Sequence, residues 1–197
     1  MPQPAQLPDI VRLAYARADT LDFPLSSEPV VGQLLSTLAC AVPPNGRILE
    51  LGTGAGVGVA WLVHGLSSRE DVKLISVDTD PSLHEVVSSE LWPSYVKFEL
   101  VDGAKYVDNA GQFDLIFADA AGGKLENLEG SIAALRLGGV LIVDDMDLAQ
   151  HEDEELRAAL ATVRERLFED PRLLSVSLEA ASGMIVSSRT WSRSVPV

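Results

Sequence analysis

Residues 47–61, RILELGTGAGVGVAW, place four glycines at every second position behind an apolar run that ends in an acid, Glu50. Glycine lets a backbone approach a bound group closely, so the stretch reads as a ligand loop. A dinucleotide fingerprint has the form G-x-G-x-x-G. Counted from Gly52 its third glycine falls on Val57, and counted from Gly54 on Val59, so the spacing fails in both registers. A phosphate loop of the GxxxxGK[ST] type fails too, because no lysine follows these glycines. Further acids end other apolar runs: Asp78 in LISVDTD, Asp102 in FELVDGA, Asp119 in FDLIFADA, and Asp144 with Asp145 in GGVLIVDDM. Carboxylates in such places accept hydrogen bonds from a ligand, hold a divalent ion, or cap the next helix.

These residues need elements to position them. Residues 10–18 and 28–41 read as helices, the second with Val31, Leu34, Leu35 and Leu38 at helical spacing. After the turn at 43–46 the pattern alternates. Strands are expected over 48–51, 73–77, 96–101, 113–118, 140–143, 173–178 and 184–188. Helices are expected over 57–66, 81–91, 125–137 and 152–168, the third ending at Gly138-Gly139. Strands alternating with helices imply an α/β, doubly wound, mostly parallel sheet of seven strands. The last two strands are joined by too short a link for a crossover, so one strand runs antiparallel. Ligands then bind beyond the carboxyl ends of the strands, at the switch point. The expected organisation is one compact domain. Residues 1–42 form a helical extension over the ligand mouth and 43–197 the α/β body.

The arrangement Glu50-x-Gly52-x-Gly54-x-Gly56 resembles the first motif of the class I methyltransferases that use S-adenosylmethionine. That cofactor carries an amino-acid head, a sulfonium and an adenosine, and no phosphate. The resemblance implies that Gly52, Thr53, Gly54 and Gly56 approach the methionine part and that Glu50, directly or through water, accepts from its ammonium. It implies that Asp78, with Thr79 beside it, takes the ribose hydroxyls. It also implies that Asp102 accepts from the adenine amino group, with backbone contacts from Gly103 and Ala104. The alternative is an ordinary α/β domain whose glycines make a tight turn and whose aspartates cap helices.

From about Pro24 to Arg189 the chain is further similar to the small metal-dependent O-methyltransferases of the catechol and caffeoyl-coenzyme A type. The resemblance makes Asp119, Asp144 and Asp145 the ligands of Mg²⁺ or a similar ion, with Asp119 also touching the cofactor. Such an ion binds oxygen ligands and lowers the pKa of an acceptor hydroxyl. Two residues depart from the pattern. Relatives often carry a general-base lysine three residues after the first metal acid, where this chain has Gly122, and the nearest lysine is Lys124. Relatives often have Asn as the second member of the later pair, here Asp145. Catalytic roles are therefore assigned to Lys124 and Asp119. A solvated Lys124 and a site without metal are the alternatives. His151 is a weaker candidate base. Ser26, Ser27 and Glu28 are candidates for the substrate entrance.

The totals bound the rest. The 197 residues are 47% hydrophobic and 22% charged, enough apolar content for a full core. The formal net charge of −14 repels phosphate backbones and anionic lipids, so nucleic acid and membrane are not expected as partners. No apolar run reaches the roughly 18 residues of a membrane span, and the first residues lack a secretory pattern. One cysteine, Cys40, excludes an intramolecular disulfide. The expectation is a cytoplasmic O-methyltransferase acting on a small molecule, with a homodimer as one oligomeric state. Rival readings are a cofactor-binding regulatory protein without catalysis, a nicotinamide-dependent oxidoreductase and an aminopropyl transferase.

Overall fold

Short apolar runs separated by amphipathic ones can bury both faces of a sheet only if helices cover each side. The computed structural model describes residues 7–191; the outermost ends of the two expected segments lie outside the described residues. The chain starts with α1 (Asp9–Thr20) and α2 (Pro29–Ala41). It then runs β1 (Arg47–Leu51), α3 (Val57–Leu66), β2 (Lys73–Asp78), α4 (Pro81–Ser88), β3 (Val96–Leu100), α5 (Gly103–Val107) and β4 (Phe113–Ala118). It ends with α6 (Leu128–Ala133), β5 (Leu135–Val143), α7 (Glu154–Glu169), β6 (Leu173–Leu178) and β7 (Met184–Arg189). The sheet order is β3-β2-β1-β4-β5-β7-β6. β7 is antiparallel to both neighbours, and the other pairs are parallel. This is the doubly wound sheet with one reversed strand that the sequence implies.

Alternate side chains serve opposite faces. Ile48, Leu115, Phe117 and Ile142 join a core with α1, α2 and α3, whereas Leu49, Leu51, Ile116 and Leu141 join one with α6 and α7. α3 is apolar all round because it lies between the sheet and the pair α1 and α2, and Val57 through Val63 are all buried. The N-terminal helices thus share a core with the sheet. No described helix is long and apolar enough to cross a membrane.

Three local expectations need correction. The helix expected over 125–137 shrinks to α6, and Leu135 already pairs with Phe113 in the sheet. Gly138-Gly139 is not a helix stop; it lies inside β5 where the register against β4 shifts. A Cβ on Gly139 would lie 3.0 Å from the Phe113 carbonyl oxygen, so the strands approach there only without a side chain. α4 stops at Ser88, and the Trp92 indole donates to the Val87 carbonyl to close the turn. α5 was not expected; it starts where the Asp102 side chain accepts from the Lys105 amide.

Candidate active site

The parallel strands deliver their carboxyl ends to one edge. The order reverses between β1 and β4, so the loops after them diverge and leave a crevice. Gly52, Gly54 and Gly56 all hold left-handed φ angles, of 105°, 50° and 78°, which makes the loop turn sharply into α3. Gly58 is needed for a different reason. A Cβ there would lie 2.1 Å from Glu50 Oε1.

Glu50 is buried, 1% exposed, on β1. Ser76 Oγ donates to its carboxylate. Since that hydroxyl donates to Glu50, Thr53 Oγ1 must donate to Ser76 Oγ across their 2.6 Å contact. Burial first, and then repulsion from Asp119 and Asp78, hold the Glu50 carboxyl well above the ordinary range. Asp78 ends β2. Its two oxygens accept from the Gly54 amide at 2.8 Å and the Asp80 amide at 2.9 Å.

Two adjoining cavities open on this edge. The first, about 340 Å³, is lined by Glu50, Gly52, Thr53, Gly54, Asp78 and Asp119, by the segment 23–28, and by Asp144, Asp145 and Ser182. The second, about 160 Å³, is lined by Gly52, Asp78, Thr79, Asp102, Gly103 and the 120–122 turn. Gly52, Asp78 and Ala120 belong to both. Ala104 stands behind the second cavity; a Cβ on Gly122 would lie 3.0 Å from its amide nitrogen.

The far wall of the first cavity is an acidic centre. Asp119 follows β4 and approaches Ser27 Oγ at 3.4 Å. Burial, followed by repulsion from Asp144 and Asp145, raises its carboxyl well above the ordinary range. Asp144 follows β5, is 2% exposed, and accepts at Oδ1 from the Asp145 amide and from Ser182 Oγ. Burial lifts its carboxyl to about 6. Asp145 has a left-handed φ of 59°, unusual for a residue with a side chain. Lys124 Nζ donates to the Asp144 carbonyl at 3.0 Å and pairs with Asp145 Oδ2 at 3.4 Å. His151 Nε2 donates to the Asp145 carbonyl at 2.9 Å.

A model of the methyltransferase domain matches residues 49–146. The chain is 31% identical over 197 aligned positions to the "Putative O-methyltransferase" of Mycolicibacterium smegmatis, an alignment spanning 91% of this chain and 90% of that one. The chain belongs to the class I S-adenosylmethionine-dependent methyltransferases. Two crystal structures share the methyltransferase fold. The O-methyltransferase TomG from Streptomyces achromogenes, in complex with SAM, aligns with a TM-score of 0.78 at 23% identity, over 94% of this chain and 92% of that one. An O-methyltransferase from Bacillus cereus, in complex with SAH, aligns with a TM-score of 0.79 at 19% identity, over 94% and 93%.

Within this methyltransferase the expected cofactor residues Glu50, Gly52, Thr53, Gly54, Asp78, Thr79, Asp102, Gly103 and Asp119 line the two cavities. Gly56 caps α3 behind the first. The expected metal acids share the first cavity, but they do not converge. Among the described residues no three His, Cys, Asp or Glu side chains are grouped to hold a metal ion. Asp144 spends one oxygen on two donors, and Asp145 turns to Lys124. As placed, Asp119, Asp144 and Asp145 form no grouped ligand set for a divalent ion. Lys124 is neither solvated nor on the cavity wall; it is buried behind the acids, 5% exposed. Two residues that sequence reasoning missed are Ser76 and Ser182. Ser76 was detectable as the one hydroxyl inside the apolar run LISV. Ser182 lies in the β6–β7 link, and no sequence signal marks it.

Proposed function

We propose that this methyltransferase moves the methyl group of S-adenosylmethionine to an oxygen of a small acceptor that is uncharged or cationic. The observation that carries the reading is Asp78 at the junction of two cavities behind the glycine loop. A ribose at the junction would place the methionine part in the larger space and adenine in the smaller. Bound there, the cofactor supplies an electrophilic methyl on a sulfonium.

The protein's own groups would do the rest. The start of α3 presents unpaired amides and the positive end of its dipole to a carboxylate. Glu50, held by Ser76, would face the ammonium. Asp102 would use the oxygen not spent on the α5 cap. In the acceptor half of the cavity, Pro24 and Leu25 offer apolar surface, and Glu28, Asp144, Asp145 and Ser182 offer polar contacts. Among the described residues no lysine or arginine lines this cavity. Phosphate-bearing acceptors such as coenzyme A thioesters would meet only like charge. Asp144, with a carboxyl near 6, is ionised at neutral pH yet basic enough to take a hydroxyl proton as the carbon–oxygen bond forms. The Mycolicibacterium relative, a "Putative O-methyltransferase", supports oxygen as the target. The net charge of −14 disfavours nucleic acid and anionic lipid and so supports a small-molecule acceptor.

Methyl-labelled cofactor and a panel of phenols, amine-bearing phenols and coenzyme A thioesters test this. Label should appear as a methyl ether on uncharged or cationic phenols. Asp144→Asn should slow it by roughly 100-fold or more, the range of general-base catalysis. Transfer only to coenzyme A thioesters, or only to nitrogen, would overturn the acceptor assignment.

A further inference from the structure

The acidic centre holds three carboxylates in one cavity, and among the described residues one cation, Lys124, touches it. Lys124 reaches it from the β4–α6 loop, where the amides of residues 124–126 converge on the Ala121 carbonyl and Ser131 Oγ ties down the Gly123 carbonyl. That turn drives the lysine inward rather than into solvent, and its side chain is 7% exposed. Nζ sits between the backbone oxygen of Asp144 and the carboxylate of Asp145. A divalent ion on these acids would have to settle beside an ammonium already paired with Asp145 Oδ2. Lys124 already supplies a positive charge here, paired with the Asp145 carboxylate and favouring the ionised forms of Asp119 and Asp144.

We infer that the Lys124 ammonium is the resident cation of this site, holding the acids in place without a divalent metal. Lys124 is thus a positioning residue, acting through Asp144 and Asp145 and touching neither cofactor nor acceptor. Burying like charges together is unfavourable unless an opposite charge is fixed among them, and a lysine on the chain meets that need with no ligand exchange. The inference rests on the methyltransferase reading only for what the acids do, not for which cation they hold.

Manganese titration of the full chain, followed by the electron paramagnetic resonance signal of free Mn²⁺, tests it. Wild type and Lys124→Arg should show no site filled below about 1 mM, a concentration at which dedicated carboxylate sites are occupied. Lys124→Met removes the charge and keeps the length. It should bind Mn²⁺ at least about tenfold more tightly than wild type, and Asp144→Asn in that background should abolish the gain. Calorimetry with S-adenosylhomocysteine provides the second readout; wild-type affinity should be the same in Mg²⁺ and in EDTA. Saturable Mn²⁺ binding by wild type that Asp144→Asn removes would overturn the inference. So would a folded Lys124→Met protein with no gain in Mn²⁺ binding. If Lys124→Met does not fold, the wild-type titration decides alone. Failure of every form to bind S-adenosylhomocysteine would count against the methyltransferase reading and leave the metal readout intact.

Discussion

Asp144 joins stability and chemistry in one carboxyl. Its folded value near 6 lies above the ordinary 3.8, because burial penalises the charged form. Between those values the folded state binds more protons than the unfolded one. The associated stability is complete below about pH 4 and is lost as pH rises through about 6. Asp144→Asn keeps an oxygen for the Asp145 amide and Ser182 but cannot ionise. Urea unfolding should find it more stable than wild type at pH 7.5, by on the order of 2 kcal/mol, with the gain gone by about pH 4. A pH-independent difference would show that Asp144 is not charged and buried as described. Gly58 gives a second test at this scale. In Gly58→Ala the methyl would strike Glu50 Oε1, so stability should fall by about 1–3 kcal/mol through overpacking. Affinity for S-adenosylhomocysteine should fall with it. That Gly52, Gly54, Asp78 and Asp102 stand together around one crevice was legible from their places at strand ends and from the family resemblance. The inward course of Lys124 was not, because it depends on a tight turn at 121–126 that no motif marks, and on contacts with Asp144 and Asp145 that are far away in sequence.

At the scale of elements, one residue can serve a cap and a ligand together. Asp102 caps α5 through Oδ1 on the Lys105 amide and also lines the smaller cavity. Asparagine caps as well as aspartate, and alanine does not. Asp102→Asn should keep stability within about 0.5 kcal/mol, and Asp102→Ala should cost about 1 kcal/mol. Both should weaken S-adenosylhomocysteine binding if the carboxylate accepts from adenine. Equal affinity in wild type and Asp102→Asn would leave the aspartate a cap only. The strands β1, β2, β4 and β6 were readable because buried parallel and edge strands are short apolar runs between turns. β5 was misread over 135–139. Leu128, Ile132 and Leu135 repeat at helical spacing, yet Leu135 belongs to the sheet, where tertiary pairing with Phe113 overrides local pattern. The glycine pair was read as a helix stop, when its use is to let β5 bend against β4.

For the whole molecule, sheet order turns scattered acids into one site. Residues 50, 78, 102, 119 and 144 are far apart in sequence and meet only because β3, β2, β1, β4 and β5 lie side by side and point the same way. The segment 23–28 between α1 and α2 completes the wall from the other end of the chain. Its part was foreseeable only in outline, since no periodicity fixes where a proline-containing loop will rest. On the proposed reading this crevice holds S-adenosylmethionine, with Asp78 at the ribose. Calorimetric titration of S-adenosylhomocysteine into the full chain, with NAD as control, tests it most directly. Wild type should bind S-adenosylhomocysteine saturably and NAD not at all. Asp78→Asn should lose about tenfold or more in affinity, equivalent to one charge-assisted hydrogen bond of about 1.5–3 kcal/mol. Saturable binding of NAD with none of S-adenosylhomocysteine, or an Asp78→Asn protein that binds S-adenosylhomocysteine as well as wild type, would contradict it.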